Sequence, residues 1–238
     1  MKQRFFRRIL PPFLLLVAIP LAVILCAHLH RKYYVGSTMV LLLTFLAFFL
    51  HFENRKPQAR ELVLLAVMTA LAVASRAVFA ALPHFKPMTA VILLTGIAFG
   101  PEAGFLTGAL AGFVSNFIFG QGPWTPWQMF AYGIGGFLAG LFSRWGILKR
   151  APKKNSDFAV LGGFGFLTVV CVVGPLLDTC TLVTMAAVIN TASIGAIYLS
   201  GLPINLMHGA ATLATLMLLG KPLLSKLTRV QIKYGMLP

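Results

Sequence analysis

Acidic residues are almost missing from this chain of 238 residues: Asp and Glu together number 5, against 20 Lys and Arg. Charged residues of both signs make up 11%, less than half of the roughly 25% typical of a soluble domain. That leaves too little polar surface to cover a water-facing globule. The shortage of carboxylates also argues against a proton- or sodium-coupled carrier, which needs acids at membrane depth; only Asp178 lies near the polar positions discussed below. Cysteine is scarce as well. Cys26, Cys171 and Cys180 are too few and too scattered for a disulfide framework or a zinc site, and they read as apolar packing residues. There is no Walker A motif, so the chain is not its own ATPase. No HExxH, no paired carboxylates within a span and no Ser/His/Asp set occur. The expectation is a protein without catalytic residues, metal site or cofactor.

What is present is apolar. Hydrophobic residues make up 58% and the mean hydropathy is +0.87. A net charge of +15 would suit nucleic acid, but no polar, basic domain exists to hold it. The lipid bilayer is the expected partner instead. A helix needs about 20 apolar residues to cross the hydrocarbon. Apolar stretches approaching that length fall near 9–29, 34–51, 62–82, 87–100, 103–119, 127–147, 158–178 and 201–221. The first follows a basic start, Met1 to Arg8, yet it is long for a signal core and no small-x-small site precedes Arg31 and Lys32. It reads as a retained span, bent at Pro20. The fourth and fifth stretches are parted only by Pro101 and Glu102 and read as a tight helical hairpin.

The charges decide the count. Lys2, Arg4, Arg7 and Arg8 precede the first span, and Arg55, Lys56 and Arg60 follow the second. Arg144, Lys149, Arg150, Lys153 and Lys154 follow the sixth, and Lys221, Lys226, Arg229 and Lys233 follow the last. With eight spans all of these, sixteen of the 20 basic residues, fall on one face. Arg31, Lys32 and Lys86 fall on the other, and Arg76 lies within a span. Basic residues mark the cytoplasmic side, so both termini are expected inside a plasma-membrane, multi-pass protein. A ninth span over 179–200 would put the C-terminal cluster outside. That segment is therefore an outer loop, a re-entrant piece or an extension of its neighbours.

Small residues recur at helical spacing. Gly104, Gly108 and Gly112 share one face, as do Gln128, Tyr132, Gly136 and Gly140, and Ala66, Ala70 and Ala74. Such stripes let helix backbones approach closely in lipid, and taken alone each is ordinary packing. The polar residues converge. Arg76 is expected two turns inside the outer end of its span. A basic residue at that depth costs about 2.5–3.5 kcal/mol and faces a partner or a cavity unless it snorkels outward. Asn116, Gln128, Tyr132, Asp178, Asn205 and His208 also fall in the outer halves of their helices, which favours an outward-facing polar pocket. The segment Gly120-Gln121-Gly122-Pro123-Trp124-Thr125-Pro126-Trp127 caps it, with Trp124 and Trp127 serving as interfacial anchors or as a lid over ligand.

These residues resemble a known family. Arg60-Glu61-Leu62-Val63 opens an alanine-rich helix. Phe99-Gly100-Pro101-Glu102-Ala103-Gly104-Phe105 follows, then Ser115 through Met129 with its Trp-Thr-Pro-Trp core. Last come Gly201-Leu202-Pro203 with Asn205, His208, Gly209, Ala210 and Ala211. From about residue 58 to the end, the chain is similar to the substrate-binding S component of an energy-coupling factor (ECF) transporter. The resemblance implies an all-α, six-helix membrane bundle over 58–238, with 1–57 as a two-helix extension. It implies a vitamin or similar micronutrient bound on the outer side, and as partners a transmembrane coupling protein and two cytosolic ATPases. It makes Ala66, Ala70 and Ala74 the face that docks to the coupling protein. Arg76, Asn116, Gln121, Trp124, Trp127, Gln128, Tyr132, Asn205 and His208 are the expected substrate-binding set. The branch looks most like S components proposed for cobalamin and related corrinoids, whose phosphate would suit Arg76. Pantothenate, queuosine precursors and other small vitamins are alternatives. So is a membrane scaffold without ligand, or a lipid-modifying enzyme using His208 and Asp178.

Overall fold

The computed structural model describes residues 59–234 apart from 151, 153, 187 and 188, together with isolated positions 17, 39, 43 and 46. The expected 1–57 extension and its two spans therefore lie outside the described residues but for those positions. Among the described residues the chain is helical without strands: α1 (Ala59–Val78), α2 (Met88–Phe99), α3 (Pro101–Phe119), α4 (Thr125–Arg144), α5 (Asn155–Thr168), a π turn (Val169–Val173), α6 (Gly174–Met185) and α7 (Thr191–Lys233). Four of these described helical stretches are long and apolar enough to cross a membrane: α1, α3, the continuous run Asn155–Met185 and α7. This is an all-α, multi-pass membrane protein.

α2 is the centre of the bundle. It is apolar around its whole circumference, the pattern of a helix with no solvent face. Every residue from Met88 to Ala98 is buried, and it packs against α1, α3, α4, α5 and α7. Its 12 residues reach about 18 Å at 1.5 Å per residue, shorter than the hydrocarbon core of about 30 Å. Gly100 joins it to α3 at φ 103°, a left-handed conformation that favours glycine, and Pro101 starts α3 at the position where a missing N–H costs least. The expected tight hairpin is thus present.

α3 and α4 meet along the two small-residue stripes. A Cβ on Gly104 would collide with the Gly136 carbonyl, and one on Gly108 with the Tyr132 carbonyl. Gly140 lies as closely against the backbone of Pro101. The stripes are each other's partners, as ordinary lipid-phase packing predicts.

Three expected boundaries move. α1 ends at Val78, not near 82, and short turns (Ala80 N to Ala77 O, Leu82 N to Phe79 O, both 3.1 Å) carry the chain toward Pro83. Arg76 is therefore in the last turn of α1 rather than two turns inside it. The seventh span is longer than 158–178 and runs on through the π turn to Met185. Pro175 has no N–H to give to the preceding turn, and the π turn absorbs the mismatch, with Gly174 N donating to Val169 O. The last span extends in both directions. Asn190 caps it, accepting from Ser193 N at 2.8 Å while Ser193 Oγ accepts from Asn190 N at 2.9 Å. Of the three readings of 179–200, the described residues fit the extension: 179–185 belong to α6 and 191–200 to α7.

The end carrying the basic loops is tied by polar bonds. Gln231 donates to the Ala98 carbonyl at 2.7 Å, and Arg60 to the Tyr234 carbonyl at 2.6 Å. Arg144 meets Glu102 at 3.6 Å, and Lys149 meets Asp157 at 2.8 Å. The candidate site lies at the other end.

Candidate functional site

The α1–α2 turn and the α3–α4 loop sit together at that end, and Arg76 joins them. Although it occupies a helix terminus, Arg76 is 6% exposed. Its guanidinium donates to Ser115 Oγ and, at 3.1 Å, to Asn116 Oδ1. The guanidinium carbon lies 4.4 Å from the centroid of the Phe119 ring, within cation–π range. Asn116 passes the connection on, donating its amide to Thr125 Oγ1 at 3.0 Å and to Gln128 Oε1 at 2.9 Å. Thr125 Oγ1 donates to Gln121 Oε1 at 2.9 Å and accepts from Gly122 N. Gln121 in turn donates to the Phe113 carbonyl at 3.1 Å. One polar chain thus runs from α1 through the end of α3 to the start of α4. Networks of this kind, when satisfied, hold their members in one arrangement.

The network leaves some donor capacity unmet. Arg76 Nε is buried with no partner. His208 Nε2, on α7, is also buried with no partner, and its ring lies 6.0 Å from that of His84. His84 is held at φ 57°, the one described non-glycine residue with positive φ. Burial, and secondarily the Arg76 charge, push the Lys86 amine below the ordinary lysine range.

The structure places the expected site residues in different settings. Arg76, Asn116, Gln121 and Gln128 share the network, and Tyr132, buried one turn below Gln128, lies in the field of Arg76. His208 approaches from α7. Asn205 is elsewhere: it donates to Asp178 Oδ2 at 2.7 Å, beside Thr179, whose hydroxyl is 2.7 Å from that of Tyr198. Trp127 is packed in an apolar cluster with Phe105, Met129 and Phe137, so its ring is core. Trp124 is 41% exposed and lies over Gly122, where a Cβ would strike its indole. Asp178 and His208, the pair considered for an enzyme, share no hydrogen bond. Ser115, Thr125, His84 and Lys86 escaped the sequence reading. Lys86 carried a signal, as one of the few basic residues against the charge map. Ser115 and Thr125, small hydroxyls off the stripes, carried only their place in the family-like segment.

The stripe Ala66, Ala70 and Ala74 is exposed along α1, flanked by Val63, Val67 and Leu71. The opposite face of α1, with Met68, Ala72, Val73 and Arg76, is the one turned into the bundle.

Residues 56–229 match the family model of the ECF-type riboflavin transporter S component, and this is most of the chain. The chain belongs to that family. It is the substrate-binding subunit of an ECF transporter and not an enzyme. Two relatives are similar to this S component at low identity. A UPF0397 protein of Vibrio atlanticus (strain LGP32) is 29% identical over 126 residues, 47% of this chain and 69% of its own. A UPF0397 protein of Clostridium perfringens (strain SM101 / Type A) is 26% identical over 171 residues, 67% of this chain and 84% of its own. No solved structure matches.

Proposed function

We propose that this S component captures a vitamin on the outer face of the plasma membrane, at the end of the bundle marked by Arg76, and passes it inward in complex with a transmembrane coupling protein and two cytosolic ATPases. The observation that carries this is the Arg76 network. A buried guanidinium costs several kcal/mol unless it is paired, yet here it is bound by neutral groups alone and keeps an unmet donor. Such a group, beside the exposed loop of Trp124, suits a recognition site. Arg76, Asn116, Gln121, Trp124, Gln128, Tyr132 and His208 are the proposed contacts. Asn205 and Trp127 support them through α6 and the α4 core. Ala66, Ala70 and Ala74 form the proposed docking face, because they are small, exposed and on the side of α1 away from the bundle.

For the cargo we favour cobalamin or a related corrinoid, since its many amides match the amide side chains and its phosphate matches Arg76. The family's name supports a second reading, riboflavin. Both are coloured, so one experiment separates them. The full chain, purified in maltoside, is examined by native mass spectrometry and absorbance, then titrated with each vitamin. Saturable binding of a corrinoid supports the first reading and of a flavin the second. Failure to bind either vitamin, with no small molecule co-purifying, would overturn the proposed capture.

A further inference from the structure

We propose that the cargo carries an oxyanion, a phosphate or carboxylate, and that this group is held between Arg76 and Lys86. The inference rests on the vitamin-capture reading and narrows the class of ligand. Four basic side chains from three elements converge: Arg76 on α1, His84 and Lys86 on the α1–α2 turn, and His208 on α7. The His84 and His208 rings lie 6.0 Å apart, and Lys86, two residues on from His84, feels the Arg76 charge. Lys86 is half-buried rather than extended into solvent.

No countercharge answers them among the described residues. Glu61, Glu102 and Asp157 belong to the opposite, basic end, where Glu102 and Asp157 meet Arg144 and Lys149. Asp178 is taken by Asn205. Arg76 and Lys86 are like charges at one end of the bundle, and a buried cation without a countercharge is costly. A fold keeps such a group where an anion will complete it. The free donors have the right chemistry. Arg76 Nε–H is buried and unpartnered, and guanidinium forks bind planar oxyanions in charge-assisted pairs. Lys86 adds a point charge. His208 Nε2, also buried and unpartnered, donates in the neutral tautomer that carries its proton there. The Phe119 ring, 4.4 Å from the guanidinium carbon, adds a cation–π contact.

An acidic lipid headgroup offers the same oxyanion as a soluble cargo, and the test separates them. The full chain in maltoside is titrated with inorganic phosphate against chloride at constant ionic strength, following tryptophan fluorescence and the thermal midpoint. A saturable response to phosphate is expected in the wild type. It should weaken roughly tenfold or more in Lys86→Gln and in Arg76→Gln, the scale of one lost charge-assisted bond. Lys226→Gln, at the opposite end, should leave it unchanged. Lys86→Gln keeps the test sound if Arg76→Gln fails to fold, because Lys86 lies in a turn. Equal responses in wild type and Lys86→Gln, or a phosphate response no larger than that to chloride, overturn the proposal. So does loss of phosphate binding when phosphatidylcholine vesicles holding the protein are enriched in phosphatidylglycerol, which assigns the site to lipid. Phosphate binding that survives in a chain unable to take up any vitamin would sink the transport reading and leave the oxyanion site standing.

Discussion

Asn205 donates its side-chain amide to the Asp178 carboxylate across 2.7 Å, joining α7 to α6. Two glycines make room for the pair. Gly174 lies one turn before Asp178, and a Cβ there would strike the Asn205 amide; Gly201 lies one turn before Asn205, and a Cβ there would strike the Asp178 carboxylate. Each helix thus gives up a side chain where the other presents its polar group. Asn205→Ala should leave the carboxylate without this donor and cost about 1–3 kcal/mol. Removing both partners, Asn205→Ala with Asp178→Ala, should cost less than the two single losses added together. Thermal unfolding of the four proteins in micelles reads the coupling, and strictly additive losses would show that the bond holds nothing.

The α3–α4 contact is less forgiving, because the obstacle is backbone. Gly108→Ala places a methyl against the Tyr132 carbonyl, and Gly104→Ala places one against the Gly136 carbonyl. Neither carbonyl can swing away without moving its helix. Overpacking of this kind costs about 1–3 kcal/mol. Gly163→Ala, where nothing lies within 4 Å, should be neutral or slightly stabilising through helix propensity. Midpoints of heat-induced aggregation compare the three, and a harmless Gly108→Ala would contradict the close approach.

Much of this was legible in the sequence because lipid imposes simple rules. Apolar length marked the helices, and the spacing of Gly104, Gly108 and Gly112 marked a contact face. The partner of that face was not legible, since two stripes with the same period do not say which meets which. Helix ends were also hidden. No glycine or polar residue follows α1 at once: Phe79, Ala80, Ala81 and Leu82 are as apolar as the helix before them. Composition therefore ran on to Pro83 while the backbone had already turned. The site was half legible. Arg76 and Asn116 stood out as polar residues in apolar runs. Trp127 misled, because an aromatic beside a loop reads as surface until its neighbours Phe105 and Phe137 enclose it. Asn205 shared the level of Arg76 along the chain, but Asp178 claims its amide.

The alanine face makes a prediction that separates docking from binding. Ala66→Trp or Ala70→Trp adds a large ring on the exposed side of α1, away from Arg76. Vitamin binding by the purified chain should be unchanged, and uptake in cells that supply the coupling protein and ATPases should fall close to background. Undiminished uptake would reject the docking role.

The charge map predicts that both termini face the cytoplasm. A phosphatase fused after residue 238 should be inactive and a fluorescent protein bright, since the first folds only outside and the second fails there. The reverse pattern would put the C-terminal basic end outside and the Arg76 end on the cytoplasmic side, taking the vitamin-capture proposal with it.

Lys86 gives a prediction in pH. Burial first, and the Arg76 charge second, hold its amine below the ordinary value of 10.5. The folded chain therefore releases this proton more readily than the unfolded chain does. Between the folded value and 10.5 the unfolded chain binds more protons, so stability rises with pH across that window. Below the window both states are protonated, and the penalty for keeping the charge in the turn is complete and constant. Lys86→Met should abolish this part of the rise, and Arg76→Gln should shrink it by removing the second cause. The comparison is the difference in thermal midpoint between wild type and Lys86→Met from neutral pH upward. It should narrow steadily as the lysine loses its charge. Saturating inorganic phosphate should flatten it, because an anion beside Lys86 favours the protonated amine and draws its value back up. A difference that stays constant across the range, with or without phosphate, would mean that Lys86 feels neither burial nor Arg76.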